Sequence, residues 1–350
     1  MEAQATTKYF EGLRLGDWQR FRNLAMAPIL ADCDDGLEYS LLDEAIGAGE
    51  IEVTEVSRQG AVPDIRVTNK GDRMVLIVDG EELVGAKQNR VVNTTILVAP
   101  HASLVVPVSC VEQGRWDYGD VVFSSGERIL CADIRARKAR QVHESVRTSR
   151  EFRSNQGEIW AEIACKASRM QAASPSMAMA HIYEKQSNRI EEFIPRFQAM
   201  DGQVGAAFAI NEEIVGLDSF GKARSFFRMF RKLLGSYALD AIDMEGRRGG
   251  DGEAQTQRYG MQDLERFLGI PARSLWETRP SVGLGTDCRL DAEGLVGQAL
   301  VYEGCVLHAS VFVAPRRGTN GSRGTHSNMS RPSRRSAASA ERGGRGRSES

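Results

Sequence analysis

Polar and apolar positions along this chain fall into two regimes. From residue 50 to 132 the period is two. IEVTEVS (51–57), DIRVTN (64–69), RMVLIVDG (73–80), VVNTTILVAP (91–100) and ASLVVPVSCVE (102–112) alternate or run apolar over strand lengths. Turn signals at Asn69-Lys70-Gly71 and Asp79-Gly80 separate them. Short strands at this spacing predict an antiparallel sheet, folded as a sandwich or a partial barrel. Ahead of it, RFRNLAMAPIL (20–30) reads as a strand closed by Pro28. Residues 39–48 read as a helix with Leu41, Leu42 and Ala45 on one face.

From residue 156 the period changes to 3.6. QGEIWAEIACKASRM (156–170) places Ile159, Trp160, Ile163, Ala167 and Met170 on one face. A second helix is expected after Ser174-Pro175, running toward Pro195. A hairpin follows: QVGAAFAI (203–210), a turn at Asn211-Glu212-Glu213, and IVGLDSF (214–220). Residues 222–240 carry Phe226, Phe227, Phe230, Leu233, Leu234 and Tyr237 as a stripe opposite Arg224, Arg228, Arg231 and Lys232, which predicts a core-facing helix. A polar, Gly-rich loop (245–259), a short helix from Met261 and a terminal hairpin (295–313, turning at Glu303-Gly304) complete the pattern. The fold class is α+β, with a β-rich N-terminal half, packed helices and C-terminal hairpins. We expect one domain over 8–313, with two lobes (8–150 and 151–313) as the alternative. A disordered Arg/Ser/Gly-rich tail is expected over 314–350.

Composition adds exclusions. With 350 residues, 41% hydrophobic and 26% charged, the chain has material for a large core and is neither fibrous nor mostly disordered. From Pro315 to Ser350 nine arginines face two glutamates, +7, so the preceding residues carry −9 of the overall −2. An acidic body repels a phosphate backbone, which argues against nucleic-acid binding by the folded part. Six cysteines without a CxxC pair and five histidines without HxH or HExxH spacing give no local metal signature. The first residues, MEAQATT, lack the basic and apolar regions of a signal peptide. No run approaches the roughly 18 apolar residues of a membrane span. A cytoplasmic protein with free thiols is the expectation.

Chemically capable residues are densest over 79–116. Lys87, Gln88, Asn89, Arg90 and Asn93 fall between strands, and Cys110, Glu112, Arg115 and Trp116 at the end of another. Loops and strand ends are where scaffolds present function. Glu112 is the candidate general base, with Lys87, Arg90 and Arg115 to offset phosphate charge. Gln88, Asn89 and Asn93 have the groups to bond a nucleotide, sugar or amide, and Trp116 the ring to stack on a base. Each also has a purely structural reading: an ion-pair network, polar groups that satisfy irregular turns, a packed aromatic. Glu81 and Glu82 are adjacent and fall between the predicted strands; in a strand they would point to opposite faces, so only one could join such a site. Cys110 shares a strand face with Leu104, Val106 and Val108 and reads as core rather than nucleophile. Asp218 reads as a cap and His308 as a structural histidine. Neither GxGxxG nor GxxxxGK[ST] is present, so dinucleotide and Walker-type sites have no support.

The run GEELVGAKQNRVVNTTILVAP with VPVSCVEQGRW resembles the ADP-ribosylglycohydrolase and rhodanese-phosphatase-superfamily-associated protein domain family. SNQGEIWAEIACKASRM, SPSMAMAHIYE, QVGAAFAINEEIVGLDSF and KLLGSYALDAID agree with it in order, so the resemblance covers about residues 8–313. The extension beyond the terminal hairpin departs from the family pattern. What the resemblance implies is an association with NAD or ADP-ribose metabolism. Two functions follow as expectations. One is a hydrolytic enzyme acting on a nucleotide- or ADP-ribose-related small molecule, the other a non-catalytic ligand-binding or protein-interaction module. Cofactor, metal dependence and oligomeric state are not specified by the sequence.

Overall fold

Helix α1 (Glu2–Glu11) leads into strands β1 (Arg14–Leu15), β2 (Gln19–Phe21) and β3 (Leu24–Leu30). Strand β4 (Tyr39–Leu41) runs directly into helix α2 (Leu42–Gly47). Eight strands follow: β5 (Ile51–Glu55), β6 (Asp64–Asn69), β7 (Met74–Ile77), β8 (Glu81–Gly85), β9 (Arg90–Val92), β10 (Ile96–Val98), β11 (Ser103–Cys110) and β12 (Phe123–Ile129). Then come α3 (Ala132–Ser149), α4 (Gln156–Arg169), α5 (Met179–Lys185) and α6 (Ser187–Phe193). The hairpin β13 (Gln203–Ile210) and β14 (Glu213–Phe220) precedes α7 (Ala223–Glu245). After α8 (Met261–Arg273), strands β15 (Glu277–Pro280), β16 (Thr286–Ala292), β17 (Leu295–Tyr302) and β18 (Cys305–Val313) finish the fold. This computed structural model describes residues 2–32, 36–57, 62–115, 122–245 and 260–314. The chain divides into units 1–315 and 316–350, and the second lies outside the described residues. So do the expected Gly-rich loop from residue 246 and, apart from Ala314, the expected tail.

Three sheets form. The largest runs β1-β3-β13-β14-β18-β17-β16-β15, with β2 also on β3, all antiparallel. Both of its faces are covered, and side chains alternate between two cores. In β13, Ala206 and Phe208 enter the core beneath α3 and α7 and Ala207 the one beneath α1 and α8, which Val204 also joins because the register shifts between Gln203 and Gly205. Double burial explains why these strands read as unbroken apolar runs in the sequence. A six-stranded sheet, β12-β8-β9-β11-β6-β5, curls until its outer strands meet at a bridge between Thr54 and Val122. Its interior packs with α2 and a three-stranded sheet, β10-β7-β4, whose β4–β7 pair is parallel. The α+β class and the N-terminal β-rich half therefore hold.

Several local expectations change. The opening strand turns at Arg22-Asn23 and continues through Pro28 to Leu30. The helix expected toward Pro195 breaks at Gln186 into α5 and α6. Helix α3 was not anticipated, because its inner face carries cations. Arg135 and Lys138 are wholly buried there. Arg135 makes two bonds to Asp218 on β14, 2.7 and 3.0 Å, so Asp218 is an ion-pair partner rather than a cap. Tyr237 on α7 donates to the same carboxylate at 2.9 Å. Lys138 bonds Asp79 and the Val92 carbonyl, while Arg135 lies so close over Gly80 that an added Cβ would come within 2.8 Å of it. Gly80 also sits at φ +83, a conformation glycine adopts without strain. His308 is buried, its Nδ1 2.8 Å from Thr95 Oγ1, in the structural role expected of it.

Candidate functional site

Antiparallel register assembles the residues that the sequence places far apart. β9 lies between β8 and β11, pairing Leu83 with Arg90 and Arg90 with Cys110. The β8–β9 connection is Ala86-Lys87-Gln88-Asn89, with Ala86 in the left-handed region at φ +44. Beyond β11, Val111 N–H donates to the Asn89 carbonyl at 3.1 Å, which brings Glu112 alongside that connection.

Glu112 is held by one oxygen. Its Oε2 accepts from the Asn89 backbone N–H at 3.2 Å and from Arg115 Nε at 2.9 Å. Among the described residues Oε1 receives no hydrogen bond. Arg115 is fixed in turn by the Ala86 carbonyl at 2.8 Å and Asn89 Oδ1 at 3.0 Å. Asn89 Nδ2 reaches Glu82 Oε1 at 3.4 Å, so one asparagine bridges two carboxyl groups. Glu81 points the other way, to Lys232 at 3.1 Å, as strand alternation requires.

Glu82 has no exposed surface. Gly126 on β12 covers it, and an added Cβ there would lie 3.0 Å from Oε2. Burial pushes its carboxyl up from 4.5 to about 7, against the opposing pull of Arg128 and of the bond from Asn89. Burial likewise raises the Cys110 thiol, which the positive charge of Arg90 only partly offsets. That thiol contacts Gln88 Oε1 and the Glu112 carbonyl, each at 3.1 Å, so Cys110 is core as expected.

Asn89, Glu112 and Arg115 line a cavity of about 560 Å³. Its other wall is the segment Ala173–Ser176 with Ala178, Ala180, His181 and Glu184. That wall is stitched on through backbone bonds from Met179 N–H to the Val111 carbonyl and from Gly114 N–H to the Ser176 carbonyl, both 2.9 Å. At Gly114 a Cβ would meet the Pro175 carbonyl oxygen and Ser176 Cα at 2.7 Å, so only glycine allows this approach. His181 Nδ1 lies 3.8 Å from Glu184 Oε2, one turn away on α5.

The remaining expected ligand residues stand behind this wall. Lys87, Gln88, Arg90 and Asn93 are buried and do not line the cavity. Arg90 bonds Gln88 Oε1 at 2.9 Å, and Asn93 bonds Ser109 and the Phe152 carbonyl. Trp116 lies outside the described residues. Conversely, His181, Glu184 and the two serines, Ser174 and Ser176, were not singled out as site residues. The SPSMAMAHIYE stretch contains all four, but no local pattern says that it docks against residues 111–114.

Two other places have comparable polarity. A larger cavity, about 830 Å³, shares Glu184 and is lined by Arg128, Arg228, Arg231 and Lys232. Its cations are matched: Lys232 by Asp43 and Glu81, Arg231 by Glu191, Arg228 by Glu44, and Arg128 by Glu184. Cys131, Asp133 and Asp240 bring three metal-capable donor atoms within 4.8 Å of one another. Lys166 serves as the cation there, 2.6 Å from Asp240 and 3.2 Å from Asp133. Against the penalty of burial, its ammonium holds Asp133 low, whereas burial and the Asp133 charge push Asp240 up.

The model of the ARG and Rhodanese-Phosphatase-superfamily-associated Protein domain (ARPP-1) matches residues 12–312. No curated protein and no solved structure matches the chain.

Proposed function

The chain belongs to the family of the ARG and Rhodanese-Phosphatase-superfamily-associated Protein domain, and from that premise we propose that it binds and hydrolyses a small nucleotide- or ADP-ribose-related molecule in the cavity over Glu112. The observation that carries this reading is the half-anchored carboxylate. Arg115 and the Asn89 amide fix Oε2, which leaves Oε1 for whatever enters. A carboxylate held in one orientation beside a cavity is the arrangement a general base needs to take a proton from water. The family name records an association with the rhodanese-phosphatase superfamily; the nucleotide or ADP-ribose ligand class is our own extension of it.

A second reading, ligand binding without turnover, draws on the burial of Lys87, Gln88, Arg90 and Asn93. The bonds of Gln88, Arg90 and Asn93 go to the protein itself, which leaves fewer groups for chemistry. One experiment separates the two. Purified protein is incubated with NAD-derived and ADP-ribosylated compounds, and products are followed by mass spectrometry. The enzyme reading expects turnover that falls by about a hundredfold or more in Glu112→Gln with the circular dichroism spectrum unchanged. Binding without turnover leaves the module reading. Turnover that survives Glu112→Gln intact removes Glu112 from the chemistry.

A further inference from the structure

The cavity over Glu112 is rich in hydrogen-bonding groups and poor in open positive charge. Among the described residues Arg115 is the one arginine or lysine on its wall. Its guanidinium is spent on Glu112, the Ala86 carbonyl and Asn89 Oδ1, so at most one of its five N–H donors is left over. Lys87 and Arg90, the other cations expected to meet a phosphate, are buried off this wall. Glu112 and Glu184 place two carboxylates on it, and His181 Nδ1 lies 3.8 Å from Glu184 Oε2. A phosphate entering here would face these acids without the bidentate arginine fork that such groups select.

Hydroxyl groups are served well. Glu112 Oε1, which receives no hydrogen bond among the described residues, is able to accept one strengthened by the carboxylate's charge, and Asn89, Ser174, Ser176 and His181 line the same cavity. We infer that this cavity takes the uncharged ribosyl part of its ligand, hydroxyls toward Glu112, and that any phosphate stays outside it. The inference rests on the reading of this cavity as the small-molecule site. It replaces the role first given to Lys87, Arg90 and Arg115 as phosphate ligands.

Isothermal titration calorimetry on the full chain tests it with two matched pairs: ribose against ribose 5-phosphate, and adenosine against its 5′-monophosphate. The expected result is that each uncharged member binds at least as tightly as its phosphate, with little salt dependence. Glu112→Gln should weaken the uncharged ligands by about tenfold. Because that variant removes an internal anchor, His181→Asn on the facing wall serves as a second probe, expected to weaken them several-fold. A phosphate that tightens binding by about tenfold or more, with the gain lost in high salt, overturns the inference and leaves the small-molecule site standing. If no member of either pair binds, the site reading itself falls and the inference with it.

Discussion

Glu82 gives the sharpest test of how this site is built. In the unfolded chain its carboxyl titrates near 4.5, and in the fold it is raised to about 7, chiefly because burial disfavours the charged form. Between those two values the unfolded state releases a proton that the native state keeps. Stability from this group is therefore complete below pH 4.5 and declines as pH rises, with the full loss reached just above 7. The gap corresponds to ~3 kcal/mol at ~1.4 kcal/mol per pH unit. Glu82→Gln keeps the shape and removes the ionisation. The difference in unfolding free energy, variant minus wild type, should climb by ~3 kcal/mol between pH 4.5 and about pH 8. Urea unfolding followed by fluorescence at a series of pH values measures it. Asp240, raised to about 7, titrates in both proteins, so subtraction isolates Glu82. A difference flat to within ~0.5 kcal/mol, or one that falls with pH, would refute the claim that Glu82 is a carboxyl sealed away from water.

Two further outcomes follow from the packing. Arg135→Met leaves Asp218 buried with only Tyr237 and His308 near it, and should lower stability by about 3–5 kcal/mol. Adding Asp218→Asn should return most of that loss in chemical denaturation, whereas an additive double variant would show that the pair is not coupled. Gly114→Ala forces the 111–114 segment away from Pro175 and Ser176. It should cost about 1–3 kcal/mol and abolish ligand binding at the Glu112 cavity, which thermal melts and calorimetry on one preparation would check together. Unchanged binding would mean that the facing wall is dispensable.

How much of this was legible beforehand depended on where the charges went. The hairpins 203–220 and 295–313 were readable because both faces of their strands are apolar and their turns hold left-handed residues such as Asn211 and Glu303. Helix α3 was not, because cations at Arg135 and Lys138 stand where an amphipathic helix carries leucines. Strand β8, which begins Glu81-Glu82, hid for the same reason: both acids are buried, one toward Lys232 and the other toward Asn89. The convergence of Asn89, Glu112 and Arg115 could be anticipated from their places at strand ends. The wall opposite them could not. It depends on a bridge between Glu112 and Ala178, and pairing across that distance leaves no periodic trace.

The interior cations also constrain how the chain can reach its native form. Arg135 and Asp218 are 83 positions apart in sequence, Lys138 and Asp79 are 59, and Lys232 and Glu81 are 151. A collapsed chain with one strand slipped by a residue would enclose such ions without their mates, at several kcal/mol apiece. An apolar core tolerates such a slip at little cost, whereas here each misplaced register carries the penalty of an unmatched buried ion.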